Sequence, residues 1–346
     1  MKKLVLAVAA ACVSLAPISA RAADDTIRKA SGEQLKAEVK SLSKEGVVVE
    51  KSGKDETLKP FEITAIRFAD APATMISIIS QVINGGYENA LNSMNKIDAG
   101  TLERDESKQE LQYLKAYCNA RLALGGASDV KEAGRQLNEF VKAHPNSYHF
   151  YPAHELLGDL AAAAGNFDAA ANFYKVLSDS PFEEYKTQAG IAIGRSRLAE
   201  KKFPEALKEF ETALALAEKG SGLAAEASKQ SALIGKASCL AETGKPEEGV
   251  KLIDEVIAKL PPEEVDLHAR AYVAQGNCYR KMPEHAKQAL ISFLHVDVLY
   301  FSNAQAHAEA LWNLTALWIE TGKQERALQA SQLLKERYPN SPWAKL

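Results

Sequence analysis

His144, His149 and His154 recur at five-residue intervals, interleaved with Tyr148, Phe150 and Tyr151. Three imidazoles can hold a metal ion, but only if they converge. Side chains meet on a helix at spacings of three and four, so a spacing of five does not gather them on one face. The segment reads as a loop between helices that packs its aromatics, and no metal is expected. His295, Asp297 and His307 flank a second such loop. Adjacent carboxylates, Glu183-Glu184 and Glu263-Glu264, could serve acid–base catalysis. Each pair follows a proline at the start of a helical pattern, where negative charge opposes the helix dipole. The chain has no glycine-rich phosphate loop, no GxSxG elbow, no HExxH and no CxxC. It is expected to be non-enzymatic and to need no cofactor.

What would position these residues is a chain of 346 residues, 46% apolar and 25% charged, enough for a packed core. A net charge of −3 offers no basic footprint for nucleic acid. The opening "MKK", the apolar run "LVLAVAAACVSLA" and Ala20-Arg21-Ala22 fit a signal peptide over residues 1–22. Its removal takes Lys2, Lys3 and Arg21 and lowers the net charge from −3 to −6. The expected location is periplasmic. A lipid anchor at Cys12 is the minor alternative, since "AAAC" lacks the upstream leucine of a lipidation site. No later stretch has the length and apolarity of a membrane span. Cys118, Cys239 and Cys278 are odd in number and lie in helical patterns, so they are expected to be small buried residues rather than a disulfide framework.

Residues 23–71 contain "EQLKAEVKSLS", "GVVVEKSG", "ETLKP" and "ITAIRFAD", short alternating runs separated by turn residues. They predict a small SH3-like or Sm-like β head, docked on the first helices because it is too small to be very stable alone. From 72 to 346 amphipathic helix patterns come in pairs, about seven hairpins. Turns recur at Gly85, Gly125, Gly165, Lys201, Gly244, Pro283 and Gly322, a period near 39 that marks a solenoid. Seven residues before each turn, from the second unit on, stand Cys118, Gly158, Gly194, Ala237, Gly276 and Thr315. All are small, as a close helix crossing requires. The first unit departs, with Ile78. "PNS" at 145–147 and again at 339–341 ends a repeat: proline stops one helix, and Asn or Ser caps the next.

"GGYENA" at 85–90, "GNFDAA" at 165–170 and the prolines twelve residues after Ala133, Gly249 and Ala327 resemble tetratricopeptide repeats. The ending "LLKERYPNSPWAKL" is similar to repeats of bacterial envelope proteins such as the TolA-binding, cell-division-coordinating family. The resemblance implies an α–α superhelix whose first helices line a broad concave groove that binds a protein or peptide. Carried onto this sequence, the groove positions are Lys115, Asn119, Glu155, Asp159, Arg195, Asn277, Arg280 and Trp312. Lys115 and Asn119 resemble part of a carboxylate clamp, but Leu156, Gln188 and Ala192 stand where it should continue. The alternative function is glycan or polymer binding through Trp312, Trp318 and the aromatics at 148–151. Without a heptad run, the expected state is a monomer.

Overall fold

The computed structural model describes residues 24–345. The expected signal peptide and Cys12 lie outside the described residues. Five antiparallel strands open the described chain: β1 (Asp25–Lys29), β2 (Gln34–Leu42), β3 (Val47–Lys51), β4 (Lys54–Leu58) and β5 (Ile63–Arg67), in the order β4-β3-β2-β1-β5. The alternation of β2 buries Leu35, Ala37 and Val39 on one face and exposes the lysines and glutamate between them. Strand β4, "KDETL", is a short charged edge, which discourages pairing with another chain. The core of this head is Ile27, Val47, Val49, Ile66 and Phe68. Tyr148 enters it from the helical part.

Fourteen helices follow as seven hairpins: α1 (Thr74–Ile83) with α2 (Tyr87–Met94), α3 (Asp105–Leu124) with α4 (Val130–Ala143), α5 (Phe150–Ala163) with α6 (Phe167–Ser178), α7 (Glu183–Ala199) with α8 (Phe203–Ala217), α9 (Leu223–Glu242) with α10 (Pro246–Lys259), α11 (Val265–Arg280) with α12 (Ala286–Leu299), and α13 (Ala304–Glu320) with α14 (Gln324–Arg337). Asp129, Asn166 and Asn303 cap α4, α6 and α13 by accepting backbone N–H bonds of the first turn.

The small residues of the first helices sit against bulky residues of the second. A Cβ added at Gly158 would lie 2.3 Å from the Tyr174 ring, at Gly194 2.7 Å from Phe210, and at Gly276 2.6 Å from Phe293. Glycine stands where the partner is aromatic. Where the partner four residues after the turn alanine or its equivalent is Leu137 or Ile253, the notch holds Cys118 or Ala237. The notch is therefore cut to the volume of its knob. Burial pushes the thiols of Cys118, Cys239 and Cys278 up to about 12, and all three are free. They act as packing groups.

The turns depart from expectation in two places. The left-handed residue is Gly126 rather than Gly125, with φ +85°, and Glu284 rather than Pro283, with φ +67°. Proline cannot adopt a positive φ, so the left-handed position falls on the residue that follows it. Lys201 holds φ +60° where other units use glycine.

The larger departure concerns shape. Each first helix from α3 onward packs on the first helix of the next hairpin, and α13 returns to pack on α3. The backbone N–H of Asn340 donates to the Gly126 carbonyl at 2.8 Å, and a Cβ at Gly126 would meet Ser341 at 2.4 Å. Gly125 abuts Ala304, and Gly85 faces Ser302. The inner faces of these six first helices thus curve through one superhelical turn, in which the C-terminal end of α3 meets the N-terminal end of α13.

Candidate functional site

The first helices line the inner wall of this turn.

Charged side chains from four of the six helices meet at this inner wall. Arg121 of α3 donates to the Tyr87 hydroxyl at 3.2 Å and to Asp266 of α11 at 3.3 Å. Arg195 of α7 lies 3.3 Å from Asp159 and 3.6 Å from Glu155, both on α5. Arg270 of α11 donates to the Ser231 hydroxyl of α9 at 3.0 Å, and its Nε is buried without a partner. Burial, then the charge of Asp159, raises the Glu155 carboxyl to about 7, against the pull of Arg195 and Arg270. Burial, then repulsion from Arg195, lowers the Arg270 guanidinium to about 10. Burial opposes the charge on Arg195, but Asp159 and Glu155 outweigh it and its pKa is raised.

Three of the eight expected groove residues therefore come together: Glu155, Asp159 and Arg195. The others do not join them. Asn119 donates to Gln136 of α4, within its own hairpin, at 2.7 Å. Asn277 donates to Glu309 of α13 at 2.8 Å, and Arg280 to Asn313 at 3.1 Å, so both staple α11 to the next hairpin. Trp312 is covered by Trp343, with ring centroids 5.1 Å apart, and by Arg280. Lys115 is half-buried and forms no hydrogen bond or ion pair among the described residues.

Sequence reasoning missed Arg121, Ser231, Asp266 and Arg270. The groove register stopped one turn short. Six residues before the crossing positions stand Gln112, Gln188, Ser231, Arg270 and Glu309, a polar row broken only by Pro152.

The histidines serve packing and docking. His149 Nε2 lies 2.9 Å from Glu110, which also accepts from the Tyr148 hydroxyl at 2.6 Å and from the Ile66 N–H at 3.3 Å. Glu110 is 2% exposed and joins the head to α3 and α5. Asp25 makes a second junction, accepting from Val39 N–H, Ala69 N–H and both ways from Arg104. His154 bonds the Phe150 carbonyl, and His307 lies between Asp297 and Tyr338. Trp318, Tyr148 and Tyr151 are buried, so they form no exposed platform. The described residues contain no cluster of three or more metal-ligating groups and no helix long and apolar enough to cross a membrane.

One tetratricopeptide-repeat family model matches residues 119–183 and 191–264, and a second matches 309–341. No curated protein matches the sequence. Among solved structures, a Rap protein complexed with competence and sporulation factor aligns with a TM-score of 0.53 at 16% identity, over 78% of this chain and 76% of that one. The apo form of RapI aligns over the same shares at 15% identity and a TM-score of 0.43. Pseudomonas aeruginosa pilF aligns at 16% identity and 0.34, over 65% of this chain and 94% of that one. The chain carries tetratricopeptide repeats in a superhelix of that type, preceded by a small five-stranded antiparallel sheet.

Proposed function

We propose that this chain is an exported, non-enzymatic adaptor of the bacterial envelope that holds an extended segment of a partner protein along its inner wall. The single observation that carries this reading is the superhelical turn of first helices. It gathers Arg121, Glu155, Asp159, Arg195 and Arg270 from four separate helices onto one inner surface. Repeat solenoids use such inner faces for binding, and paired charges there give register and selectivity. The Rap protein of the same fold is a structure complexed with competence and sporulation factor. Export rests on the cationic, apolar and small-residue sequence of 1–22.

The test is capture from envelope extract by the mature protein, beside polysaccharide sedimentation. Specific protein capture that is lost with Arg195→Glu and kept with Lys208→Glu on the outer surface is the expected result. Sedimentation with glycan and no protein capture would overturn the proposal in favour of the glycan-binding alternative.

A further inference from the structure

The second helices of the repeats turn an apolar face inward and a charged face outward. On α4 the outward residues include Lys131, Arg135 and Glu139, and on α10 Lys251, Asp254 and Glu255. Helix α12 departs from this pattern. It buries Ala289, Phe293 and Val296 as its repeat requires, yet from Ile291 onward its exposed residues are apolar too. Ile291, Val298 and Leu299, with Phe301 just beyond the helix, are each 45–62% exposed and leave roughly 400 Å² of apolar surface open. A helix that is apolar all round is one covered on both sides. The face is also rigid. The His295 ring stacks on Tyr272 at 4.4 Å, and its Nδ1–H donates to the Ile291 carbonyl at 2.8 Å. Tyr272 stacks in turn on Tyr300 at 5.6 Å. Little side-chain freedom is lost when such a face is covered.

We propose that a second copy of this chain covers the face, the two α12 helices packing antiparallel about a two-fold axis. Ile291 and Val298 stand two turns apart on one ridge, with Leu294 and His295 midway. Such a ridge matches itself when reversed: Ile291 meets Val298 of the partner subunit, and the axis passes between Leu294 and His295. Charge agrees with this arrangement. Glu284 precedes the helix, and Arg337 lies 5.7 Å over the Phe301 ring at its other end. Neither forms an ion pair among the described residues. Reversal brings the Glu284 end of one copy to the Arg337 end of the other. A lipid surface fits less well. An interfacial helix carries rows of Lys and Arg beside its apolar face, whereas α12 has only Lys287 and the chain is net negative. The open patch is about half of what each partner of a standard interface buries, so the dimer is weak and reversible, with a polar rim supplying the rest. A seam of two turns is too short to leave a heptad run, so a dimer replaces the monomer expected from the sequence. The surface belongs to a second helix, and the proposal stands apart from inner-wall binding.

The experiment is sedimentation equilibrium on the full mature chain, from residue 23. Wild type should approach twice the monomer mass, with a dissociation constant of about 10 µM. Val298→Asp should weaken the dimer about 100-fold or more, because a two-fold interface carries the buried charge twice. Unchanged helical circular dichroism separates lost pairing from lost folding. Leu223→Asp, at an equally exposed apolar residue of α9, should leave the dimer intact. Ile291→Cys mixed with Val298→Cys should give, under mild oxidation, a disulfide-linked pair that neither variant gives alone. Wild type that stays monomeric to about 100 µM overturns the proposal. So does a monomer that instead binds vesicles of neutral and anionic lipid through Val298. A dimer that survives Val298→Asp, or cysteine links formed as readily within each variant alone, overturns the antiparallel α12 contact. Capture from envelope extract that depends on Arg195 should persist in Val298→Asp, so the failure of one proposal is distinguishable from the failure of the other.

Discussion

Adding one methyl group at Gly276 should destabilise the protein, even though alanine is the better helix former. The Gly276 Cβ would sit 2.6, 2.8 and 2.8 Å from three atoms of the Phe293 ring, where carbon atoms prefer about 3.5–4.0 Å. Phe293 is fully buried and cannot swing into solvent. Overpacking of this kind costs about 1–3 kcal/mol, and the helix-propensity gain of about 1 kcal/mol offsets only part of it. Gly276→Ala is therefore expected to lose up to about 2 kcal/mol. Phe293→Ile alone should lose about 1–3 kcal/mol by leaving a cavity. The two together should copy the Ala237–Ile253 pair of the fifth hairpin, α9 with α10, and lose at least about 1 kcal/mol less than their sum. Urea midpoints for wild type, both single variants and the double variant, read as a double-mutant cycle, measure this directly. Additive losses, or a Gly276→Ala protein more stable than wild type, would refute the idea that knob volume sets notch size.

Three further outcomes follow from individual contacts. The raised Glu155 pKa means the folded state holds a proton that the unfolded chain has released, so its contribution falls as pH rises from about 4.5 to about 7. Glu155→Gln should flatten that part of a stability-against-pH profile, and an unchanged slope would contradict the assignment. Lys201→Gly should stabilise by about 0.5–1 kcal/mol in thermal melts by relieving φ +60°, while Gly165→Ala, at φ +76°, should cost about 1 kcal/mol or more. Glu110→Ala should cost about 3 kcal/mol, because it strips acceptors from Tyr148, His149 and Ile66 N–H at once. Hydrogen exchange should show the loss first in the β head.

The period, the hairpins and the small residues at helix crossings were legible because each depends on contacts within one repeat. Gly158 needs only its own Tyr174, sixteen residues away. The return of the last hairpin onto the first was not legible. A solenoid's curvature sums small rotations between neighbours, and no single residue encodes the sum. The two "PNS" segments illustrate the difference. Both end a repeat as expected, yet Ser147 precedes the Tyr148 and His149 that dock the head, whereas Asn340 and Ser341 pack against Gly126. The candidate site was half legible for the same reason. Asp159 and Arg195 occupy equivalent positions in successive repeats and meet directly. The pairing of Arg121 with Asp266 spans 145 residues and exists only because the superhelix turns back toward its start.

The return of the last hairpins onto the first underlies the inner charge cluster, and one disulfide trap tests it. A Cβ at Gly85 would lie 3.5 Å from the Ser302 Cβ, at the lower edge of the range that a disulfide spans. Cys118, Cys239 and Cys278 are buried and will not compete, and Cys12 is left out by using the chain from residue 23. Under mild oxidation, Gly85→Cys/Ser302→Cys should form an intramolecular bond in high yield, seen as faster migration on a non-reducing gel. Failure to cross-link, or bonds formed only between molecules, would show that the first and last hairpins stand apart.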